Sequence, residues 1–556
     1  MPEGKKPKQL RGVQFPPGAD GNRNSTDAVK GALRASTGSA DAGAAAKLDA
    51  ERNWRYGYNV HLVKNCELLA RGPESEAAAI AVAGLLELHG GFEFVDASGS
   101  SKPLAAAMAS VPELVGNAGG FDCGVVVGRL AETPPGPLRV PYSGQLLEGG
   151  ALRKQLQKWL DNGIIERDAL TALGQLSDST AVDLKGHTFV CLGAGSEMGP
   201  TRTLLAHGAT VLAVDVGKHH VWQQLVQAAT ESRGTLLLPL RRLSGSAAMS
   251  APSKRLVGDG IDMADLCSNA GCNILEETPS IAAWILANSG SGPLCVGSYV
   301  YMDGANFVRV ALAADAVIDA VCKARPDVAL ACLSSPTECY AVPREAWDRV
   351  TERLKAPPAG RVHLLWYEPL RRVSKGKYCV PATPAASVET PSGPVLLRDS
   401  YTHMQGPNYA FAKQIQRWRM LLARSRGHIA SSNVGPMTLT RSILSNKLIG
   451  AGVKGAVHFG LEPFYAETSR ALLAMLLIHD LKSQTSAANP SVELGSPLQL
   501  FSENALHVGS WNAAFSTNSF TEVCALTFAA GKAQPYVATG LASLAGLGAW
   551  QLRSKL

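Results

Sequence analysis

A chain of 556 residues with 46% hydrophobic and 18% charged side chains can bury a large core, which excludes a wholly disordered protein. Its formal charge of +7 is mild for this length and no dense basic stripe interleaves with aromatics, so nucleic acid is not an expected partner. Eleven scattered cysteines argue against a disulfide scaffold, and no apolar run of about 18–20 residues marks a membrane span.

Residues 1–50, rich in Ala, Gly, Ser, Asp and Lys with Pro16-Pro17-Gly18 early on, read as a disordered or loosely attached arm. Residues 51–135 read as a small α/β module, with a helix at 74–86 and buried strands at 92–95 and 123–127. The Pro134-Pro135-Gly136-Pro137 run is its exit linker. Residues 136–182 carry two linking helices, at 152–160 and 166–176. No internal repeat at solenoid periods is present.

Residues 183–337 read as a dinucleotide-binding core. Thr188-Phe189-Val190-Cys191-Leu192 is a buried-strand run, followed by the turn Gly193-Ala194-Gly195-Ser196-Glu197-Met198-Gly199. A helix at 200–207 and a second strand at 209–214 lead to Asp215, which lies 22 residues after Gly193. In this arrangement the glycines let backbone approach a pyrophosphate at a helix N-terminus. The carboxylate accepts hydrogen bonds from the adenosine ribose and repels a 2′-phosphate, which favours NAD over NADP. An AdoMet-type site also pairs a glycine turn with an acid at the second strand, and a βαβ unit without a ligand is a third reading.

Further along, Gly260-Ile261-Asp262 leads to Ser268-Asn269-Ala270-Gly271, and a stretch at 284–288 ends in Asn288. A strand-like run at 328–333 ends in Ser334-Ser335, and Tyr409 stands four residues before Lys413. His428 to Asn433 then lead into Val434-Gly435-Pro436-Met437-Thr438. In order and approximate spacing this series resembles the short-chain dehydrogenase/reductase family, over about residues 186–445. The resemblance implies a Rossmann-type doubly wound parallel sheet, extended here by the N-terminal α/β module and a C-terminal helical extension. It implies Tyr409 as acid/base, Lys413 as the cation that lowers its pKa, Ser335 as substrate anchor and Asn288 as proton relay. It places the cofactor on Gly193, Gly195, Ser196, Met198, Gly199, Asp215, Asn269, Ala270, Gly271, Tyr409, Lys413, Pro436 and Thr438. Tyr and Lys one helical turn apart project on the same face, which is why that spacing suits proton exchange with a substrate hydroxyl.

Among the departures from the family pattern, three bear most on the site. Glu197 stands where a second glycine is usual, and a carboxylate there repels a pyrophosphate unless it turns outward. Ser268 replaces one Asn of the Asn-Asn-Ala-Gly motif. Residues 338–398 form an insertion beside the site, with a helix pattern at 344–354 and a strand pattern at 362–367. Such material shapes or caps a pocket. Its length leaves Ser334 and Ser400 as rivals to Ser335.

Residues 399–530 read as the remainder of the core with a substrate or cap region, including an apolar helix at 469–481. His507 and Trp511 read either as a substrate wall or as ordinary packing. Cys267 and Cys272 lack a second pair at ligand spacing and read as buried thiols, and His219-His220 reads as a surface loop, so no metal is expected. Residues 531–556 read as a flexible tail, and Ser554-Lys555-Leu556 is the address read by the peroxisomal import receptor.

The expected function is therefore an NAD-preferring oxidoreductase in peroxisomes or a related organelle such as the glycosome. It acts on a small-molecule alcohol or carbonyl substrate, with acyl-CoA or lipid suggested by location, and works as a homo-oligomer by family analogy. The alternative is a catalytically reduced dinucleotide-binding or structural protein on the same fold.

Overall fold

The computed structural model describes residues 10–18, 20–242, 252–256, 262–355 and 367–533. Eight strands form the main sheet: β1 (Phe121–Val127), β2 (Thr188–Leu192), β3 (Thr210–Val214), β4 (Thr235–Arg241), β5 (Lys254–Leu256), β6 (Leu294–Ser298), β7 (Ala329–Ser334) and β8 (Ala430–Val434). Their order is β5-β1-β4-β3-β2-β6-β7-β8. The run from β4 to β8 is parallel throughout, with Val190 of β2 opposite Leu212 on one side and Val296 on the other. β1 pairs antiparallel with β4 and parallel with β5, so the sheet is mixed but mostly parallel, a Rossmann-like α/β arrangement.

The parallel strands are apolar on both faces because helices cover both. Val190, Leu192, Leu212, Val214 and Val296 pack with the helices Glu74–Gly91, Ala305–Ala324 and Pro407–Ser425. Their neighbours Phe189, Cys191, Val211, Ala213 and Cys295 face the other way, onto Gly149–Asp161, Arg167–Ser177 and Ala466–Lys482. The two expected linking helices thus cover one face of the sheet. The expected apolar helix at 469–481 is the buried centre of Ala466–Lys482. No described helix is long and apolar enough to cross a membrane.

The N-terminal region differs from the sequence reading. Instead of a loose arm, residues 25–50 form two capped helices, Ser25–Gly38 and Ala42–Ala50. Asn24 Oδ1 accepts from the Asp27 amide and Asp41 Oδ1 from the Ala44 amide, both at 2.9 Å. The composition that suggested disorder is rich in alanine, the best helix former, with an Asn and an Asp placed as N-caps. The first helix buries Val29, Ala32 and Leu33 as part of the main core.

The small α/β module is likewise corrected. The expected strand at 123–127 is the end of β1 and belongs to the main sheet. Only Glu93–Val95 pairs separately, between Gly12–Gln14 and Ser101–Pro103.

A buried ion network fastens these layers. Asp315 Oδ1 accepts from Arg419 Nε at 2.6 Å and Oδ2 from Nη2 at 2.8 Å, and His89 Nε2 lies 2.7 Å from the same Oδ2. The three residues come from three different helices, Ala305–Ala324, Pro407–Ser425 and Glu74–Gly91.

The insertion forms a separate antiparallel sheet of Cys339–Val342, Gly393–Asp399 and Ala386–Thr390, with the helix Arg344–Lys355. The strand expected at 362–367 falls outside the described residues except for Tyr367, which opens the helix Tyr367–Val373. Ser554, Lys555 and Leu556 also lie outside them.

Candidate active site

A cleft of about 1810 Å³ opens along the carboxyl ends of the parallel strands. Its lining includes the segments that follow β2 (193–199), β3 (215–218), β6 (299–304), β7 (335–337) and β8 (435–438). The strand order reverses between β2 and β6, and open α/β sheets bind ligands in the crevice at such a switch point.

The glycine turn sits there as expected from its residues. Gly193 has φ +84°, and a Cβ on it would stand 2.8 Å from the Tyr299 carbonyl oxygen. A Cβ at Gly195 would meet Val221 Cγ1 at 2.8 Å, so the turn presents bare backbone to the cleft. Ser196, Met198 and Gly199 line it too. The following helix is short, Thr201–Ala206. Gly193→Ala combines a disfavoured φ with that close approach. It is expected to destabilise the fold by more than about 1 kcal/mol, read as a lower urea midpoint at unchanged slope.

Asp215, at the end of β3, accepts from the Gly195 amide at 2.7 Å and the Val216 amide at 2.8 Å. Burial pushes its carboxyl up, against those two amides and Lys218. A carboxylate offers about four acceptor positions, so two remain for ribose hydroxyls. The turn and Asp215 together fit a dinucleotide. Glu197 lines the cleft, with its carboxylate paired to the Arg441 guanidinium and to the Arg441 amide at 2.8 Å. Arg470 donates to the Glu197 carbonyl at 3.1 Å.

The helix Pro407–Ser425 brings Tyr409 and Lys413 to the cleft one turn apart. Tyr409 Oη donates to Ser335 Oγ at 3.1 Å. Ser335 Oγ is 2.8 Å from Thr337 Oγ1, which in turn donates to Gln405. Lys413 Nζ donates to the Leu333 carbonyl at 2.7 Å and to Gln416 Oε1 at 3.1 Å, and Gln416 Nε2 donates to Ser298 Oγ at 3.3 Å.

One electrostatic expectation is reversed. Burial pushes the Tyr409 phenol up to about 12, with the Ser335 hydrogen bond opposing and Glu338 adding to the rise. Lys413 is itself lowered by burial, against the charges of Glu338 and Cys332. Its ammonium is committed to Leu333 and Gln416, and the phenol stays protonated at neutral pH.

Of the rival serines, Ser334 pairs with Ser432 Oγ at 3.1 Å, and Ser400 is buried away from the cleft lining. Only Ser335 meets Tyr409 among the three. Pro436 and Thr438 line the cleft, though the Thr438 hydroxyl is occupied by the Pro436 carbonyl at 2.8 Å and Ser469 Oγ at 2.7 Å.

Several expected site residues are elsewhere. Asn288 ends the helix Thr278–Asn288, donates to the Trp284 carbonyl at 2.8 Å and does not line the cleft. Asn269, Ala270 and Gly271 close no strand of the parallel run. Asn269 ends the helix Met263–Asn269 with its amide on the Asp265 carbonyl at 2.9 Å, Ala270 only bridges to Leu240, and none of the three lines the cleft. His507 stacks on Trp511 at 4.8 Å in the interior, so that pair is packing. No described residue of the insertion at 338–398 lines the cleft.

The strand beside β2 is β6, a buried run bounded by Gly290, Gly292 and Pro293, a signal the sequence reading passed over. With it were missed Tyr301 and Phe307, whose rings lie 6.4 and 5.4 Å from that of Tyr409, and Gln416. Among the described residues no group of three or more His, Cys, Asp or Glu is placed to hold a metal. Comparison with protein-family models, curated proteins and solved structures finds no match to this chain.

Proposed function

We propose that this chain is an oxidoreductase of the short-chain dehydrogenase/reductase type, prefers NAD to NADP, and acts on an alcohol or carbonyl compound. The observation that carries the reading is the Tyr409–Ser335 hydrogen bond of 3.1 Å, with Lys413 one turn away, in the same cleft as the glycine turn. Gly193, Gly195, Ser196, Met198, Gly199, Asp215, Pro436 and Thr438 would hold the dinucleotide. When bound, the nicotinamide supplies or accepts the hydride.

The chain's own residues handle the proton and the geometry. In the reducing direction the protonated Tyr409 phenol gives its proton to the carbonyl oxygen as the carbon gains the hydride, and the C=O double bond becomes a C–OH single bond. Ser335 Oγ holds that oxygen beside the phenol, and Lys413 lies one turn along the helix in the same cleft, its ammonium on the Leu333 carbonyl. The hydroxyls of Ser335 and Thr337 continue the hydrogen-bonded chain from Tyr409, and a replacement proton from solvent would reach the phenolate through those two hydroxyls, in the role expected of Asn288.

Calorimetric titration with NADH and NADPH side by side tests the reading. Micromolar NADH binding is expected, with NADPH weaker by about tenfold or more, which is about 1.4 kcal/mol, because Asp215 repels the 2′-phosphate. Failure of both to bind would sink it.

A further inference from the structure

We propose that the substrate is an aliphatic carbonyl or alcohol compound whose chain lies in a second chamber of the cleft, walled by the helices Lys447–Gly455 and Thr517–Ala533. The inference rests on the oxidoreductase reading above. A single small-molecule site occupies roughly 300–1,000 Å³, and the cleft of about 1810 Å³ has room for a dinucleotide and a second sizeable molecule.

The lining of the cleft differs in chemistry from one stretch to another. The glycine-turn stretch carries Glu197, Arg202, Asp215, Lys218, Arg441 and Arg470. Another stretch of the lining is built from Ile449, Val453, Ala456, Leu461, Phe520 and Cys524. Among the described lining residues at 449–461 and 510–524 none is charged. Thr521 spends its hydroxyl proton on the Thr517 carbonyl of its own helix at 2.5 Å.

An ionic group placed against this wall would lose its water and find no counter-charge, whereas an alkyl chain is driven in by leaving water. Leu444 and Leu448 remain 44% and 46% exposed next to the lining residues Ile443 and Ile449, and give the chamber an apolar lip. Tyr409, Met404 and Leu461 line the same continuous cleft, so a chain seated here belongs to a molecule whose oxygen reaches Tyr409.

Calorimetric titration of the full chain with butanol and octanol decides the matter. Each added methylene is expected to tighten binding about threefold to fourfold, so octanol exceeds butanol by about a hundredfold. Val453→Phe, which fills the chamber from its wall, is expected to weaken octanol binding about tenfold or more and leave the NADH titration unchanged. Equal affinities for the two alcohols, or octanol binding untouched by Val453→Phe, overturn the chamber. If that variant does not fold, the wild-type alcohol series still decides. NADH binding without chain-length dependence removes the aliphatic substrate and keeps the oxidoreductase. Chain-length dependence without NADH binding removes the oxidoreductase, and with it the substrate role, and leaves the chamber as an aliphatic ligand site.

Discussion

Tyr409→Phe is expected to lower turnover by about 10²–10⁴ while NADH affinity stays within about twofold. The substitution removes one oxygen, the donor that meets Ser335 Oγ at 3.1 Å, and leaves the ring to pack on Phe307. The proton lost is needed only as the carbonyl is reduced, so kcat and kcat/KM fall together and cofactor binding is spared. Because burial holds the phenol at about 12, the wild-type rate of reduction should show no decline from Tyr409 ionisation below about pH 10. Turnover retained in the Phe variant would remove Tyr409 from the chemistry.

The second large effect concerns stability. Asp315→Asn is expected to cost about 3–5 kcal/mol, because it leaves the Arg419 guanidinium buried without its main counter-charge. Asp315 is 3% and Arg419 4% exposed, and Asp319 reaches only Arg419 Nη1, at 2.7 Å.

Burial alone would raise the Asp315 carboxyl. The charge and hydrogen bonds of Arg419, joined by His89, outweigh it and hold the group well below the usual carboxylate range. A folded pKa below the unfolded value of about 3.9 adds stability that is fully present at neutral pH and is lost as the pH falls below about 4. Urea unfolding of the wild type should therefore weaken through that acid window, and the Asn variant should lack this component. Replacing both partners with apolar residues, Asp315→Leu with Arg419→Met, should recover much of the loss, since neither charge is then stranded. An Asn variant as stable as the wild type would show that the network contributes nothing.

What was legible in the sequence is what local physics writes into neighbouring residues. The runs 188–192 and 210–214 are apolar without alternation because both faces of a parallel strand are covered, and Gly193, Gly195 and Asp215 follow at their ends. From these the α/β class, the turn and its acid could be read directly. The four-residue spacing of Tyr409 and Lys413 likewise placed both on one face of a helix.

Tertiary structure alone decided the rest. The letters Ser-Asn-Ala-Gly at 268–271 carry no information about which strand lies next to β2. Pairing between chains of atoms distant in sequence gives that place to β6, and with it Asn269 and Asn288 leave the site. Ser334, Ser335 and Ser400 are equivalent in composition, and only the approach of the Pro407–Ser425 helix to the end of β7 brings Ser335 to Tyr409. The Ala-rich residues 25–50 are polar enough to resemble a free arm, yet they fold as helices because a large apolar surface elsewhere in the chain gives Val29 and Leu33 a place to be buried. The phenol of Tyr409 is raised rather than lowered for the same kind of reason: burial and the partners taken by Lys413 are properties of the packed molecule, and no spacing of residues along the chain encodes them.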